Sequence, residues 1–253
     1  MARDGPRGEP PALARLYPEM AAGGWPRFAP RIEFYARVRS LLRPDMTVLD
    51  FGAGRGQWFA DPVAFRRDLA SLRGRCAEVV GADVDPAVRG NPTVDRAVVL
   101  TPGRPLPFPD ASFDLIVAWA VFEHIEDPEG CAGELARVLK PGGWLCAWTP
   151  NARGYVGLGA RLVPNRLHAR LIRRISPYKR EERDVFPTWY RMNTLGRLRR
   201  LFPEPAFQHV SYAANGVPGY FLNSYLLGAA MRFLFRFVPE SLSAWLFVFV
   251  RRR

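Results

Sequence analysis

The sequence is poor in lysine, cysteine and histidine. Only two of its 36 basic residues are lysines, Lys140 and Lys179. The three cysteines, Cys76, Cys131 and Cys146, are odd in number and scattered, which argues against a disulfide framework and a zinc site and favours a reducing compartment. Three histidines leave few candidates for acid–base chemistry. We expect no metal site.

The chain also lacks a long uninterrupted apolar run. Residues 1–20 contain no apolar core of a signal peptide. The most apolar segment, residues 219–238, is interrupted by Arg232 and Arg236, whereas a spanning helix needs about 20 apolar residues. We therefore expect a cytoplasmic protein, either free or bound peripherally to the inner face of the membrane.

What is present is a folded, strongly basic chain. Its 253 residues are 48% apolar, which is enough for a sizeable core and excludes a disordered chain. The formal net charge of +12 favours anionic partners such as nucleic acid, acidic lipid headgroups or phosphorylated substrates.

Short apolar segments alternate with helical patterns between residues 30 and 150. The helical patterns cover residues 31–42, 58–73 and 128–139. The predicted strands are MTVLDF, AEVVGADVD, DRAVVL, SFDLIVAWAV and WLCAWTP, and later in the chain FQHVSYA and SAWLFVFVRRR. This alternation predicts an α/β fold with a mostly parallel sheet built from right-handed crossovers.

The remaining segments are consistent with one domain preceded by an N-terminal arm. Residues 1–28, rich in Pro, Gly and Arg, predict a flexible N-terminal arm, and residues 29–253 a single domain. Within it, residues 150–192 predict a lid, since so long an irregular segment in a compact fold is usually functional. Residues 217–239 predict an apolar helical insertion.

A glycine loop follows the first predicted strand in the segment VLDFGAGRG. A dinucleotide fingerprint has the spacing Gly-x-Gly-x-x-Gly, but here Gln57 occupies the position of the third glycine. Asp50 stands two residues ahead of Gly52. Its carboxylate would repel a diphosphate and attract an ammonium group, so the loop predicts a ligand with a cationic amino-acid end rather than NAD.

VLDFGAGRG resembles the first motif of the class I S-adenosylmethionine-dependent methyltransferases, and VVGADVDP is similar to their second motif. The stretch from LPFPDASFDL to LCAWTPN resembles strands four and five of the ubiquinone-methyltransferase-like (type 11) subgroup. The resemblance covers residues 30–150. It implies a Rossmann-like fold with a mostly parallel seven-stranded sheet, helices on both faces, and S-adenosylmethionine as the cofactor.

The resemblance also implies cofactor contacts. One group would hold the methionine end, a carboxylate would accept both ribose hydroxyls, an apolar side chain would pack on the adenine, and two residues would lie beside the sulfonium. The residues that would hold the methionine end are Asp50, Gly52, Ala53 and Gly54. Asp83 would accept the ribose hydroxyls and Val84 would pack on the adenine. Trp119 and Ala120 would lie beside the sulfonium.

Candidate catalytic and acceptor-binding residues follow the fourth strand and lie in the lid. His124, in VFEHIEDP, is a candidate general base, and a structural role under the loop is the alternative. Tyr190 is a second catalytic candidate. In DVFPTWYRMNT, carboxylate, aromatic and guanidinium groups suit sugar rings and phosphates, although the segment could also be a packed loop. These candidate substrate residues are Asp184, Trp189, Tyr190 and Arg191.

Two further features have several interpretations. A basic cluster in the lid could be a solvated face or bind anions; it comprises Arg161, Arg166, Arg170, Arg173, Arg174, Lys179 and Arg180. Residues 217–239 could be buried, form a dimer face, or lie on an anionic membrane as an interfacial helix. The apolar stripe of such a helix would comprise Phe221, Tyr225, Leu226, Phe233 and Phe237.

The sequence thus predicts a methyltransferase that acts on a polar group, an oxygen, of a small, glycan-like or lipid-linked acceptor. An RNA methyltransferase fits the basic charge, but no Asn-Pro-Pro-Tyr-type stretch follows the fourth strand. A non-catalytic, cofactor-binding scaffold at a membrane is the other alternative.

Overall fold

The structure is a computed structural model that describes residues 11–162, 186–218 and 221–253. Its strands are β1 Thr47–Phe51, β2 Glu78–Asp83, β3 Arg96–Val99, β4 Phe113–Trp119, β5 Leu139–Pro150, β6 Phe207–His209, β7 Tyr212–Ala214 and β8 Trp245–Arg252. Its α-helices within these ranges are α1 Pro11–Leu16, α2 Pro30–Leu41, α3 Ala64–Ala70, α4 Pro128–Val138, α5 Tyr155–Leu162, α6 Leu195–Leu201 and α7 Tyr225–Leu234. Among the described helices, none has the length and apolar character that crossing a bilayer requires.

One sheet organises the chain. Its order is β3-β2-β1-β4-β5-β8-β6, and β7 pairs with β8 beside β6. The first five strands of this order are parallel, and β8 runs antiparallel to β5. The predicted α/β, Rossmann-like fold is confirmed.

The sheet has eight strands rather than the expected seven. The segment FQHVSYA was predicted as one strand, but it forms β6 and β7. At the break, the Ser211 hydroxyl accepts a hydrogen bond from the Phe249 amide at 2.9 Å. This side-chain contact replaces a ladder bond, so the two halves pair separately with β8.

Helices cover both faces of the sheet, because alternate residues of a strand point to opposite sides. In β1, Val48 packs with Phe34 and Val38 of α2. Its neighbour Leu49 packs in the opposite cluster with Leu135 of α4. The same alternation turns Asp50 towards α2. Since β1, β2 and β4 are parallel, their carboxyl ends meet at one edge of the sheet, which we call the carboxyl edge.

The helix predicted over residues 58–73 is shorter in the structure. A single 3-10 turn covers Gln57–Ala60, and α3 begins only at Ala64. Between them, the Asp61 carboxylate accepts from the Val63 amide at 2.9 Å and pairs with Arg66 at 2.8 Å. Pro62 follows directly, and these local bonds compete with helix formation.

The N-terminal segment differs from the flexible arm expected over residues 1–28. From residue 11 onward it is ordered against the fold: Leu13, Leu16, Tyr17 and Met20 are buried in one cluster with Phe221. Their spacing is helical, and the high content of Pro, Gly and Arg obscured that period in the sequence.

Gly52, just after β1, can be tested for its steric role. Its φ is +76°, and a Cβ there would clash with Val121 Cγ2. Gly74 has nearly the same φ, +74°, with nothing within 4 Å of a Cβ. We expect Gly74→Ala to lower the free energy of unfolding by about 1–2 kcal/mol through backbone strain. Gly52→Ala should cost about 1–3 kcal/mol more through overpacking.

Urea unfolding of the two variants measures this difference. An equal decrease in the free energy of unfolding in both variants would show that the Val121 side chain moves to accommodate the new Cβ. Gly52 would then be needed only for its backbone conformation.

Candidate active site

The glycine loop after β1 is held to the end of β2 by Asp83. Gly52, Gly54 and Gly56 all have positive φ, which glycine adopts without strain. The Gly54 amide donates to Asp83 Oδ2 at 2.8 Å, and the Gly52 amide donates to the Ala82 carbonyl at 2.8 Å. The loop backbone therefore lies directly beside the Asp83 carboxylate.

Asp83 keeps capacity for further donors. Its Oδ1 accepts from the Asp85 amide at 2.8 Å, and its Oδ2 accepts from Gly54. A carboxylate offers about four acceptor sites, so about two remain. The next side chain, Val84, is exposed and apolar. A sugar diol beside a flat apolar ring would fit this pair.

Asp50 lies behind the loop on the α2 side of the sheet. It lines a narrow cleft with Tyr35, Trp58 and Thr93. Burial, and secondarily the negative charge of Asp83, raise the pKa of Asp50 to about 7. A cation bound beside the carboxylate would favour its ionised form, so this position fits an ammonium group.

Asn91 clamps the loop from the β2–β3 connection, and the sequence analysis missed it. Its Nδ2 donates to the carbonyls of Ala53 and Gly54 at 3.0 and 3.2 Å. Its Oδ1 accepts from the Thr93 amide at 2.9 Å and the Thr93 hydroxyl at 2.6 Å. A Cβ at Gly56 would clash with this oxygen, so the third position of the loop requires glycine for steric reasons.

Trp119, expected beside the sulfonium, belongs to a column of stacked rings on the α2 side. Centroid distances along the column are 5.7 Å from Tyr35 to Trp119, 4.2 Å from Trp119 to Trp148 and 4.4 Å from Trp148 to Trp245. Trp148 Nε1 is buried and has no hydrogen-bond partner among the described residues. Neither Trp148 nor Trp245 was predicted from the sequence to be a site residue.

Ala120 turns the chain at the end of β4. Its φ is +57°, and its amide donates to the Trp148 carbonyl at 2.8 Å. The next residue, Val121, packs against Gly52. The turn at Ala120 thus places its neighbour Val121 against the glycine loop.

His124 follows in a 3-10 turn, Phe122–His124. It contacts the end of the segment predicted as a lid; we call residues 186–192 the lid end. Its Nδ1 lies 2.8 Å from the Pro187 carbonyl oxygen, and its ring packs edge-on against Phe186. Because a carbonyl only accepts, Nδ1 must carry the proton, and a neutral ring then has its lone pair on Nε2. The structural role is therefore observed, and a role for Nε2 as a base is compatible with it.

Glu123 fastens the lid to the carboxyl edge and was missed in the sequence. Its carbonyl accepts from the amides of Trp189 and Tyr190 at 2.7 and 3.2 Å. Its Oε2 accepts from the Thr149 hydroxyl at 2.8 Å, and that hydroxyl accepts from Asn193 Nδ2 at 2.6 Å. This buried chain of bonds explains why the lid end lies next to β4 and β5.

The described lid residues form a small polar and aromatic surface. The Arg191 guanidinium lies 4.8 Å from the Trp189 ring centroid and donates to the Glu126 carbonyl at 2.6 Å. Trp189 is exposed, whereas Tyr190 is buried with φ of +55°. Asp184 lies outside the described residues. So do Arg166, Arg170, Arg173, Arg174, Lys179, Arg180 and the side chain of Arg161.

Comparisons with known proteins agree with this geometry. The model of the methyltransferase domain family matches residues 26–214. An uncharacterized methyltransferase of Mycobacterium sp. strain KMS is 38% identical over 100 residues, 38% of this chain and 36% of that protein. The demethylmenaquinone methyltransferase of Thermus thermophilus is 33% identical over 140 residues, 51% of this chain and 59% of that protein. The chain thus spans between 36% and 59% of these relatives' lengths.

Solved structures share the fold at low sequence identity. A methyltransferase from Haloferax volcanii has a TM-score of 0.53 at 19% identity, covering 98% of this chain and 96% of its own. A SAM-dependent methyltransferase from Methanosarcina mazei has a TM-score of 0.51 at 18% identity, covering 85% and 96%. Together with the family match over most of the chain, the glycine loop and the acids that flank it lead to one conclusion. The chain belongs to the methyltransferase domain family, among the class I S-adenosylmethionine-dependent methyltransferases.

Proposed function

We propose that the protein transfers the methyl group of S-adenosylmethionine to an oxygen atom of a small, glycan-like or lipid-linked acceptor. The observation that carries the proposal is the juxtaposition at the carboxyl edge. There, Asp83 has free acceptor capacity beside the loop amides, Asp50 is buried behind them, and a wall of aromatic rings begins at Trp119.

The protein's task in this reaction is alignment and exclusion of water. Bound S-adenosylmethionine supplies a methyl group that is already activated, so positioning contributes most of the catalysis. Asp83 would fix the ribose and Asp50 the ammonium end. The ring column and the lid end would keep the acceptor side dry. For a hydroxyl acceptor, His124 Nε2, or Tyr190 in its phenolate form, would accept the proton that the acceptor loses.

Two features support the acceptor class. The Arg191 guanidinium lies over the Trp189 ring at the lid end, a combination that suits a sugar ring or a phosphate. The partly exposed rings of the column, Trp119 and Trp245, would offer apolar surface for a lipid-linked portion.

A second candidate is methylation of a ring carbon in a quinone-type acceptor. It is supported by similarity to two partial relatives, a demethylmenaquinone methyltransferase and a ubiquinone/menaquinone biosynthesis C-methyltransferase. The column of stacked rings would also accommodate a flat aromatic acceptor.

Methyl labelling tests the proposed function. Extracts of a strain that lacks the gene should contain the unmethylated acceptor, so the purified protein should transfer label from methyl-labelled S-adenosylmethionine into them. We expect label in the lipid or small-molecule fraction, with the methylated atom assigned by mass spectrometry. Label in RNA would overturn the proposal, and label on carbon would favour the quinone candidate.

The lid is tested in the same assay. Tyr190→Phe and Arg191→Ala should reduce label transfer, the latter by about tenfold if one charged contact to the acceptor is lost. Both should keep the affinity for S-adenosylhomocysteine. Equal loss of cofactor binding in both variants would instead place this segment in the cofactor pocket or the core.

Asp83 is expected to dominate ribose recognition. Asp83→Ala should weaken S-adenosylhomocysteine binding by one or two charge-assisted hydrogen bonds, each about 1.5–3 kcal/mol. Isothermal calorimetry measures this loss, with the exposed Asp45→Ala as a control of equal charge change. Wild-type protein should not bind NAD. Tight NAD binding, or full affinity in Asp83→Ala, would contradict the assignment.

Asp50 should make cofactor binding depend on pH. Its raised pKa of about 7 means that the folded protein holds a proton that the unfolded chain releases near pH 4. The free energy of unfolding therefore falls as pH rises between these values. A cationic ligand requires the ionised carboxylate, so S-adenosylhomocysteine should bind about tenfold more tightly at pH 8 than at pH 6.

The isosteric Asp50→Asn variant provides the control. It should bind more weakly at pH 8 and lose the pH dependence, as measured by calorimetry in two buffers of different ionisation enthalpy. An unchanged pH slope in this variant would assign the titration to another group.

A further inference from the structure

Helix α7 and its flanking turns present large apolar side chains to solvent. Five of them form what we call the apolar face: Leu222, Leu226, Phe233, Leu234 and Phe237, exposed by 58, 78, 55, 59 and 70%. Phe233 and Phe237 pack edge-on with centroids 5.3 Å apart. Single exposed apolar residues are ordinary, but a group of this size marks an interaction surface. Phe221, which the sequence placed on the same stripe, is buried and excluded from the face.

The opposite side of α7 is fixed to the fold. Phe221 is buried against α1, and a Cβ at Gly228 would clash with Leu16 Cδ1. Arg232 Nη1 donates to the Leu16 carbonyl at 2.6 Å, and the Asn223 side chain accepts from the Ala12 amide at 3.3 Å. The apolar face is therefore held in place by packing on its inner side.

Cations border the apolar face. The Arg15 guanidinium lies 4.8 Å from the Tyr225 ring centroid, and Arg236 is exposed between Phe233 and Phe237 in sequence. Residues 221–239 contain no acidic residue, in a chain of net charge +12. Apolar side chains surrounded by arginines fit an interface with acidic lipid headgroups. A second copy fits less well, because a symmetric contact would bring the same arginines together.

The face lies at the carboxyl edge of the sheet. The segment that carries α7 leaves β7 at Ala214 and returns at Trp245, which pairs with Pro150 at the end of β5. Phe235 also contacts Tyr155 of α5, with centroids 5.3 Å apart. A surface that binds the apolar face would therefore lie beside the candidate active site.

We propose that the apolar face docks on the surface of an anionic lipid bilayer, with α7 lying in the headgroup region. Docking requires only the exposed apolar side chains, their fixed position and the bordering cations, so it does not depend on methyl transfer. Such docking would give the active site access to a membrane-borne acceptor.

Vesicle flotation of the full chain tests the proposal. The protein should float with vesicles of phosphatidylcholine and phosphatidylglycerol, and several-fold less with phosphatidylcholine alone. Roughly 1 M salt, where the Debye length is about 3 Å, should reduce binding to the anionic vesicles. Leu226→Glu and Phe233→Glu should each lower partitioning by about tenfold or more, since a buried apolar side chain is replaced by a charge.

Val210→Glu is the matched control. Val210 is 48% exposed in the link between β6 and β7, where its amide donates to Phe249, away from the Trp245 end of β8. The Val210→Glu substitution introduces the same charge as the test variants. Its partitioning should stay within about twofold of that of the wild type, because salt screens the distant charge from the bilayer. Phe237→Glu repeats the test at a position beyond the end of α7.

Circular dichroism and S-adenosylhomocysteine binding should be unchanged in all four variants. This separates docking from the proposed function, since a protein without methyl-transfer activity could still float. Wild-type protein that does not bind anionic vesicles would overturn the proposal. So would Leu226→Glu, Phe233→Glu and Phe237→Glu variants that all float like wild type. A dimer in light scattering that Leu226→Glu dissociates would assign the face to self-association instead.

Discussion

The hydrogen bond from the Gly54 amide to Asp83 is the contact on which the site depends. Parallel pairing of β1 with β2 brings the two strand ends level, and the 2.8 Å bond then fixes the glycine loop against the carboxylate. The contact directs one oxygen of Asp83 to the loop and leaves other lone pairs for a ligand. It also keeps Asp83 near Asp50, so that its charge adds to burial in raising the pKa of Asp50.

The sequence could predict the parts of this arrangement that are local in the chain. Asp50, Gly52 and Gly54 lie within five residues, and their spacing alone separated an amino-acid ligand from a dinucleotide. Apolar strands alternating with helices were sufficient for the parallel core. The resemblance added the role of Asp83, whose position at the end of β2 the structure confirms.

What the sequence could not show are contacts between residues far apart in the chain. Asn91 reaches the glycine loop across 37 or 38 residues, and the lid end is fastened to Glu123 by backbone bonds that no motif encodes. In the sequence, Trp148 and Trp245 have the pattern of ordinary strand residues. Only the pairing of β5 with β8 brings them together. The buried side of α1 likewise has meaning only against Phe221 and α7.

The start of β8 joins the ring column to the segment that carries the apolar face. Trp245 ends the ring column, and its neighbour Ala244 donates to Asn215 Oδ1 at 2.9 Å. The Ala244 carbonyl also accepts from the Asn151 amide at 2.8 Å, just after β5. These bonds fix both ends of the segment that carries α7 to the same strand ends that hold the column. The apolar face and the ring column therefore keep a fixed spatial relation, because both are built on the carboxyl edge of one sheet.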